Sequence, residues 1–341
     1  MNVLISSARA YDRESFEAAQ QARGGPSRHA ITYVEQRLDR HSSAMAAGQG
    51  AVCCFVNDEL DSATLGELHR LGVKAVCLRC TGTNNVDLRA AASLGLPVLR
   101  VPSYGPAAVA EFSVGLLLSL NRKIHRAYNR VRNNNFDLTG LVGFNLQGRT
   151  AGVIGTGRIG SHTARLLLAF GMTVLAHDPY CQPQSLRSLG VVYLPLAELL
   201  QRSDVVSLHC PLNAETHHLL DGEALAQLKP GALLVNTGRG GLIDTAAAIA
   251  ALKRGQLAGL ALDVYEQEQG LFFSNHSEEL IDDDLFERLL TFPNVLVTGH
   301  QAFLSRDALA TIAETSLDNF DALDQGRSSP NQVQLPPNMS S

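Results

Sequence analysis

Residues 150–170, TAGVIGTGRIGSHTARLLLAF, decide the fold. An apolar run of strand length ends in Gly155-Thr156-Gly157-Arg158-Ile159-Gly160, and a helical pattern of apolar residues follows. The G-x-G-x-x-G spacing alone is weak evidence, but between a strand and a helix it has a mechanical reason. Gly155 permits the tight turn, Gly157 lets the backbone approach a pyrophosphate, and Gly160 lets helix and strand pack closely. Amides at the helix start then hold the phosphates. The competing readings are a structural glycine-rich turn, or a nucleotide site of another kind such as a methyltransferase's. The next predicted strand, MTVLAHD, ends at Asp178, 18 residues beyond Gly160. A carboxylate there accepts hydrogen bonds from an adenosine ribose and repels a 2'-phosphate. No Lys or Arg occurs in DPYCQPQSL to welcome that phosphate, so NAD is expected rather than NADP. The bland alternative is that Asp178 only caps its turn.

Working outward, the same strand-and-helix alternation covers the chain. On the N-terminal side run NVLIS, ESFEAAQQA, AITYV, AVCCFV, SATLGELHRLG, KAVCLR, DLRAAASLG and PVLRV, one doubly wound unit ending near Pro102. A single long helix is predicted over 106–134, opened by Pro106 and closed by an Asn run. After a polar segment at 133–149 the alternation restarts and continues to NVLVTGH at 294–300. Helical spacing returns over 303–325, and the last residues, RSSPNQVQLPPNMSS, read as a loosely held terminus. With 341 residues, more than one core usually supports, the expected fold class is α/β with two doubly wound parallel-sheet domains.

Composition excludes several classes. Apolar residues make up 45% and charged residues 18%, an ordinary globular balance. A net charge of -5 with scattered Lys and Arg leaves no footprint for nucleic acid. The most apolar window, AAVAEFSVGLLLSLNRK, contains Glu111 and is too short to span a bilayer, and MNVLISSARAYDRE is no secretory signal. A cytoplasmic protein without membrane or nucleic-acid partners is expected. Six cysteines (53, 54, 77, 80, 181 and 210) do not make a disulfide scaffold. Cys77 and Cys80 form a C-x-x-C inside a strand pattern, where residues three apart face opposite sides, so they are read as core residues and no metal site is expected.

The carboxyl ends of the later strands face the ligand crevice of an open α/β sheet. There the sequence places NTGRG at 236–240, LDVYEQE at 262–268 and TGHQ at 298–301. Taken singly, Arg239 is a surface arginine, Glu268 an acid in an acidic loop and His300 a hydrogen-bonded structural histidine. Together they match what reduction of a carbonyl by hydride requires. Arg239, between glycines that clear space for its planar fork, holds a carboxylate and polarises the ketone. His300 exchanges a proton near neutrality, and Glu268 keeps that imidazole charged.

These motifs, with GVIGTGRIG, DVVSLHCPL, NTGRGGLID, LDVYEQEQGLFF and VLVTGHQAFLS, make residues 1–333 resemble the D-2-hydroxyacid dehydrogenase family, and within it the fermentative D-lactate-forming branch. The resemblance implies a substrate domain from 1–102 and 302–341, clamped onto an NAD-binding domain at 103–301. It also implies a homo-oligomer, dimer or tetramer, built through the long interdomain helix. Family roles carry over to Arg239 (substrate carboxylate), His300 (acid/base) and Glu268 (its partner). Cofactor contacts fall on Arg158, Ile159, Asp178, Cys210, Pro211, Thr237, Gly238 and Asp263, beside the turn of Gly155, Gly157 and Gly160. Substrate contacts fall on the backbone of Thr81 and Gly82 and on Tyr104, while Thr216 stands where many relatives carry Asn. The implied reaction is the reversible, NAD-dependent reduction of pyruvate to D-lactate. The alternatives are a dehydrogenase for bulkier 2-oxo acids and, in another class, an NAD-responsive corepressor-like binding protein. Formate dehydrogenases share the fold but lack a glutamate matching Glu268.

Overall fold

The computed structural model describes residues 1–24 and 29–334. The chain forms two compact units, Met1–Gly105 with the chain from Phe303 onward, and Pro106–Ala302.

The first unit runs β1 (Asn2–Ile5), α1 (Ala10–Ala22), β2 (Ala30–Tyr33), β3 (Ala51–Cys54), α2 (Ser62–Arg70), β4 (Ala75–Leu78), α3 (Leu88–Ser93) and β5 (Val98–Arg100). Its parallel sheet has the order β2-β1-β3-β4-β5. Strands β3 and β4 are buried at every position, which is why AVCC and AVCL read as unbroken apolar runs rather than alternating ones. Cys53, Cys54 and Cys77 lie fully inside this sheet, unbridged, and burial pushes the Cys53 thiol up to about 12.

The second unit opens with α4 (Pro106–Arg122) and α5 (Ile124–Arg132). It then alternates β6 (Thr150–Ile154), α6 (Arg158–Ala169), β7 (Thr173–His177), α7 (Gln184–Arg187), β8 (Val192–Tyr193), α8 (Leu196–Arg202), β9 (Val205–Leu208), α9 (Gly222–Ala226), β10 (Ala232–Asn236), α10 (Thr245–Lys253), β11 (Leu257–Leu262), α11 (Asp284–Leu290) and β12 (Val295–Val297). The seven parallel strands are ordered β12-β11-β10-β9-β6-β7-β8, so the winding reverses between β6 and β9. That reversal opens the crevice in which sheets of this type bind ligands.

The single helix expected over 106–134 is two helices. Lys123 adopts φ 52° and ψ 38°, ending α4 and starting α5 in a new direction. The cause lies downstream, where the Asn121 side chain pairs with both the amide and the carbonyl of Phe144, at 3.0 and 2.8 Å. A Cβ on Gly143 would sit 2.4 Å from the Asn121 carbonyl oxygen. The returning chain therefore occupies the space that a straight helix would need.

The first unit is completed by α12 (Arg306–Asp324), capped by Ser305 Oγ accepting from the Ala308 amide. Its buried stripe of Ile312, Ala313, Ser316, Leu317 and Phe320 packs on the β1–β3–β4 face and on α1, with Phe320 stacked on Phe16 at 6.3 Å. Arg23 adds ion pairs to Glu314, Asp318 and Asp321. The segment after α12 is not loose where it is described. Val333 N–H donates to Val98 O and Arg100 N–H to Asn331 O, giving β5 an antiparallel partner at Gln332. The rest of the sequence-predicted loose terminus, 335–341, lies outside the described residues. No helix among the described residues is long and apolar enough to cross a membrane.

If α12 belongs to this core, truncating its largest buried ring should cost about 3–5 kcal/mol. Phe320→Ala is therefore expected to lower the midpoint of the first urea transition, followed by circular dichroism because the chain has no tryptophan. A change of under about 1 kcal/mol would mean that α12 packs elsewhere.

Candidate active site

The three glycines after β6 divide the work as their spacing requires. Gly155 has φ +89°, and a Cβ there would lie 2.5 Å from the Cys210 nitrogen. A Cβ on Gly160 would lie 1.9 Å from the Gly155 carbonyl oxygen, so α6 meets the strand end backbone to backbone. At Gly157 a Cβ would meet nothing within 4 Å, and this residue caps α6 with no side-chain hydrogen bond. The first amides of α6, from Arg158 and Ile159 onward, thus start a helix with no capping side chain beside an open space. The cradle fits the pyrophosphate of a dinucleotide.

Asp178, just past β7, is held by its surroundings. Its Oδ2 accepts from the Thr156 amide at 2.7 Å, and its Oδ1 from the amides of Tyr180 and Cys181 at 2.9 and 2.7 Å. Cys210 and Pro211 follow β9, across the winding reversal. Burial pushes the Cys210 thiol up to about 11, so it is a poor nucleophile at neutral pH. Thr237, after β10, shares a hydrogen bond with Ser113 of α4 at 2.7 Å.

His300 lies three residues beyond β12 rather than at its last position, in the left-handed region at φ +55°. Its Nδ1 meets Glu268 Oε1 at 2.8 Å, both side chains being largely buried. The other Glu268 oxygen accepts from the Tyr265 amide at 3.0 Å, which fixes the carboxylate. With Nδ1 donating to Glu268, Nε2 is the ring nitrogen left to meet a ligand. The turn that carries the imidazole is held by Asp263, a buried carboxylate accepting from Thr298 Oγ1 at 2.5 Å and from the amides of Gln301 and Ala302 at 2.9 and 2.8 Å. Sequence reasoning gave Asp263 a cofactor role only and missed this one. It also missed Phe273, whose ring lies 5.6 Å from the His300 ring, although the FF of the LDVYEQEQGLFF motif marks the position.

Arg239 is half-buried on the loop after β10. Asn236, fully buried, folds that loop by donating to the Arg239 carbonyl at 2.8 Å and accepting from the Gly238 amide at 3.0 Å. The flanking glycines were expected to clear room for the guanidinium. Gly240 instead permits close packing, since a Cβ there would lie 2.0 Å from the Tyr265 carbonyl carbon. The arginine's loop therefore rests directly on the loop that carries Glu268.

Thr81, Gly82 and Tyr104 belong to the first unit. The amides of Thr81 and Gly82 find no acceptor among the described residues, whereas Thr81 Oγ1 donates to Val101 O at 3.0 Å. Tyr104 meets Phe303 edge-on at 6.4 Å, Phe303 meets Phe55 at 5.4 Å, and Phe55 covers the guanidinium of Arg79 at 4.7 Å. Arg79, fully buried and paired with Asp12, anchors the start of the Cys80–Gly82 turn. In the sequence it read only as the end of a strand.

A doubly wound unit with this glycine turn, and with a carboxylate-supported imidazole on its carboxyl edge, falls among the dinucleotide-dependent oxidoreductases. Residues 114–302 match the profile described as D-isomer specific 2-hydroxyacid dehydrogenase, NAD binding domain. Over 333 residues the chain is 47% identical to the D-lactate dehydrogenase of Escherichia coli (strain K12), covering 98% of this chain and 100% of that one. The apo-structure of D-lactate dehydrogenase from Escherichia coli superposes with a TM-score of 0.88 at 45% identity, covering 98% of this chain and 100% of that one. The D-lactate dehydrogenase from Aquifex aeolicus, complexed with NAD and lactic acid, superposes with a TM-score of 0.85 at 32% identity and the same coverage. The chain belongs to the D-2-hydroxyacid dehydrogenase family and is an NAD-dependent oxidoreductase.

One group beside the glycine turn makes the fold sensitive to acid. Burial pushes the His209 imidazole down to about 4, and its Nε2 meets Ser207 Oγ at 2.8 Å. The unfolded chain, with an imidazole near 6.5, binds more protons than the native state between those two values. This contribution is intact above about pH 6.5 and is lost as pH falls towards 4, and is on the order of 3 kcal/mol. Urea unfolding at several pH values should show a shallower acid slope for His209→Gln than for the parent. Identical slopes would remove His209 from the acid sensitivity.

Proposed function

We propose that the enzyme reduces pyruvate to D-lactate, reversibly, with His300 as acid/base, Glu268 as its partner and Arg239 as the binder of the substrate carboxylate. The observation that carries the reading is the 2.8 Å hydrogen bond between His300 Nδ1 and Glu268 Oε1, which leaves Nε2 for a carbonyl oxygen. Bound NADH supplies the hydride to C2. His300 Nε2–H donates its proton to the ketone oxygen during reduction and takes it back during oxidation. The Glu268 carboxylate accepts from Nδ1–H and stabilises the imidazolium that oxidation leaves behind. The Arg239 guanidinium holds the carboxylate in a bidentate fork and polarises the ketone. The Thr81 and Gly82 amides are suited to a carboxylate oxygen. Tyr104 is a further substrate contact in this reading, with a methyl-sized substrate side chain preferred. In the same reading Gly155, Gly157, Arg158, Ile159, Gly160, Asp178, Cys210, Pro211, Thr237, Gly238 and Asp263 receive the cofactor.

Pyruvate should surpass branched and aromatic 2-oxo acids in kcat/KM with NADH, and chiral analysis should find the D isomer. His300→Gln should slow both directions by roughly 10²- to 10⁴-fold while NADH still binds. Arg239→Lys, which keeps the charge and loses the fork, should lose about 10²- to 10³-fold in kcat/KM. Preference for a bulky acid would overturn the pyruvate assignment, and parent-like kinetics in Arg239→Lys would remove that residue from the mechanism.

The enzyme is also proposed to be a homo-oligomer. Helix α5 buries none of its residues, yet carries Ile124, Tyr128 and Val131 along one stripe, and the following loop exposes Phe136, Leu138 and Val142, the last at 83%. A run of exposed apolar side chains this long is the mark of a protein interface, and a second copy is the partner that family membership favours. Light scattering behind size exclusion should show an oligomer, and the double variant Phe136→Asp with Val142→Asp should shift it towards monomer. An unchanged mass would place the interface elsewhere.

A further inference from the structure

The carboxyl edge of the seven-stranded sheet carries a second cluster of ligating side chains, on the loops that leave β9 and β11. His217 and His218 stack their rings with centroids 4.0 Å apart, and His218 Nε2 meets Glu266 Oε1 at 2.5 Å. One ligand atom from each of the three lies within 4.8 Å of the others. None of these side chains takes part in the reaction proposed above.

An isolated surface ion pair accounts for only part of this arrangement. His217 is exposed, and no described residue partners its ring nitrogens, yet its ring lies on that of His218. Glu266 is supported from behind, because Thr245 Oγ1 donates to its Oε2 at 2.9 Å and presents Oε1 to the imidazoles. A hydrogen-bonded second oxygen of this kind is what orients a ligating carboxylate. His218 is held in the left-handed region at φ +51°, with its amide donating to Gly241 O at 2.8 Å. That conformation is uncommon outside glycine and persists where the surroundings fix it.

We propose that His217, His218 and Glu266 bind one zinc-class divalent cation, with water as fourth ligand, cross-linking the loop after β9 to the loop after β11. Two imidazoles and a carboxylate suit zinc and its borderline neighbours, whereas calcium and magnesium prefer an all-oxygen shell. The ring planes are 26° apart, so a shared ion requires one imidazole to turn about its Cβ–Cγ bond, which exposed His217 is free to do. The expectation of no metal rested on Cys77 and Cys80 alone; His218 and Glu266 lie 48 residues apart and form no local motif. The ion would act on the segment Tyr265–Glu266, against which Gly240 packs.

The test uses the full-length protein, stripped with a chelator and titrated calorimetrically with zinc chloride. One equivalent should bind in the micromolar range and raise the melting temperature, and cobalt(II) should give the visible absorption of a four-coordinate site. His217→Ala should weaken zinc binding at least tenfold while its NADH-dependent reductase activity stays at the parent level without metal. His217→Cys, which restores a zinc ligand, should recover binding. Glu266→Gln should also weaken binding, compared at matched metal-free melting temperature. Unchanged zinc affinity in His217→Ala would overturn the proposal. So would loss of the bound equivalent in His300→Gln but not in His217→Ala, which would locate the ion at the His300–Glu268 pair.

Discussion

The site depends on one buried carboxylate. Asp263 sits at the end of β11 with no exposure, and burial outweighs its hydrogen bonds and the nearby His300 in holding its carboxyl above the usual range. An acid in that position must be satisfied locally, because an unpaired buried carboxylate is strongly unfavourable. Thr298, Gln301 and Ala302 satisfy it, and in doing so they bend the chain after β12 into a turn. His300 stands inside that turn at φ +55°, a conformation that the three hydrogen bonds stabilise and that its own preference would not. The imidazole is thus positioned by a neighbouring strand before any ligand arrives.

Close backbone approach carries that order across the edge of the sheet. Gly240 lets the Arg239 loop rest on Tyr265 and Glu266, two residues before Glu268, and Gly155 and Gly160 do the same between β6, α6 and the end of β9. In each case the nearest neighbour is main chain, which cannot move aside as a flexible side chain would. The rigidity is general-purpose, but it leaves Arg239, Glu268 and His300 on loops whose spacing is set by strand separation. The proposed reaction, which needs a cation, an acid and its partner around one small carbonyl, is well served by such loops.

Much of this was legible because it is written in local patterns. The G-x-G-x-x-G turn, the alternation of buried runs with helices and the three charged strand ends each follow from residues within one short window. What was missed depends on residues distant in the chain. The break at Lys123 is imposed by Gly143 and Phe144 docking on Asn121, and nothing in NRKIHRAYNR foretells it. The terminal segment looked loose because Asn331 and Val333 carry no strand pattern of their own, yet β5 offers them an open edge. Gly240 was read as making room for a side chain when it makes room for a backbone. Burial of a charge is equally hidden, as Arg79 shows, since its partner Asp12 lies on α1.

Asp178 brings the bland and the functional readings of a residue together. Its carboxylate accepts from three amides of the adjoining turns, which is what a purely structural capping residue would do. Those bonds do not neutralise it, because amides are dipoles and the full negative charge remains. They fix where the charge sits, at the end of β7 and bonded to Thr156, the residue between Gly155 and Gly157. Oδ1 already accepts from two amides, but Oδ2 accepts from only one, so acceptance from a ribose hydroxyl at Oδ2 does not require any of the amide bonds to break. A carboxylate immobilised in this way accepts from a 2'-hydroxyl and opposes a 2'-phosphate more effectively than one free to swing away. In the proposed reading, the structural bonds of Asp178 are therefore the means by which it discriminates between the two nicotinamide cofactors.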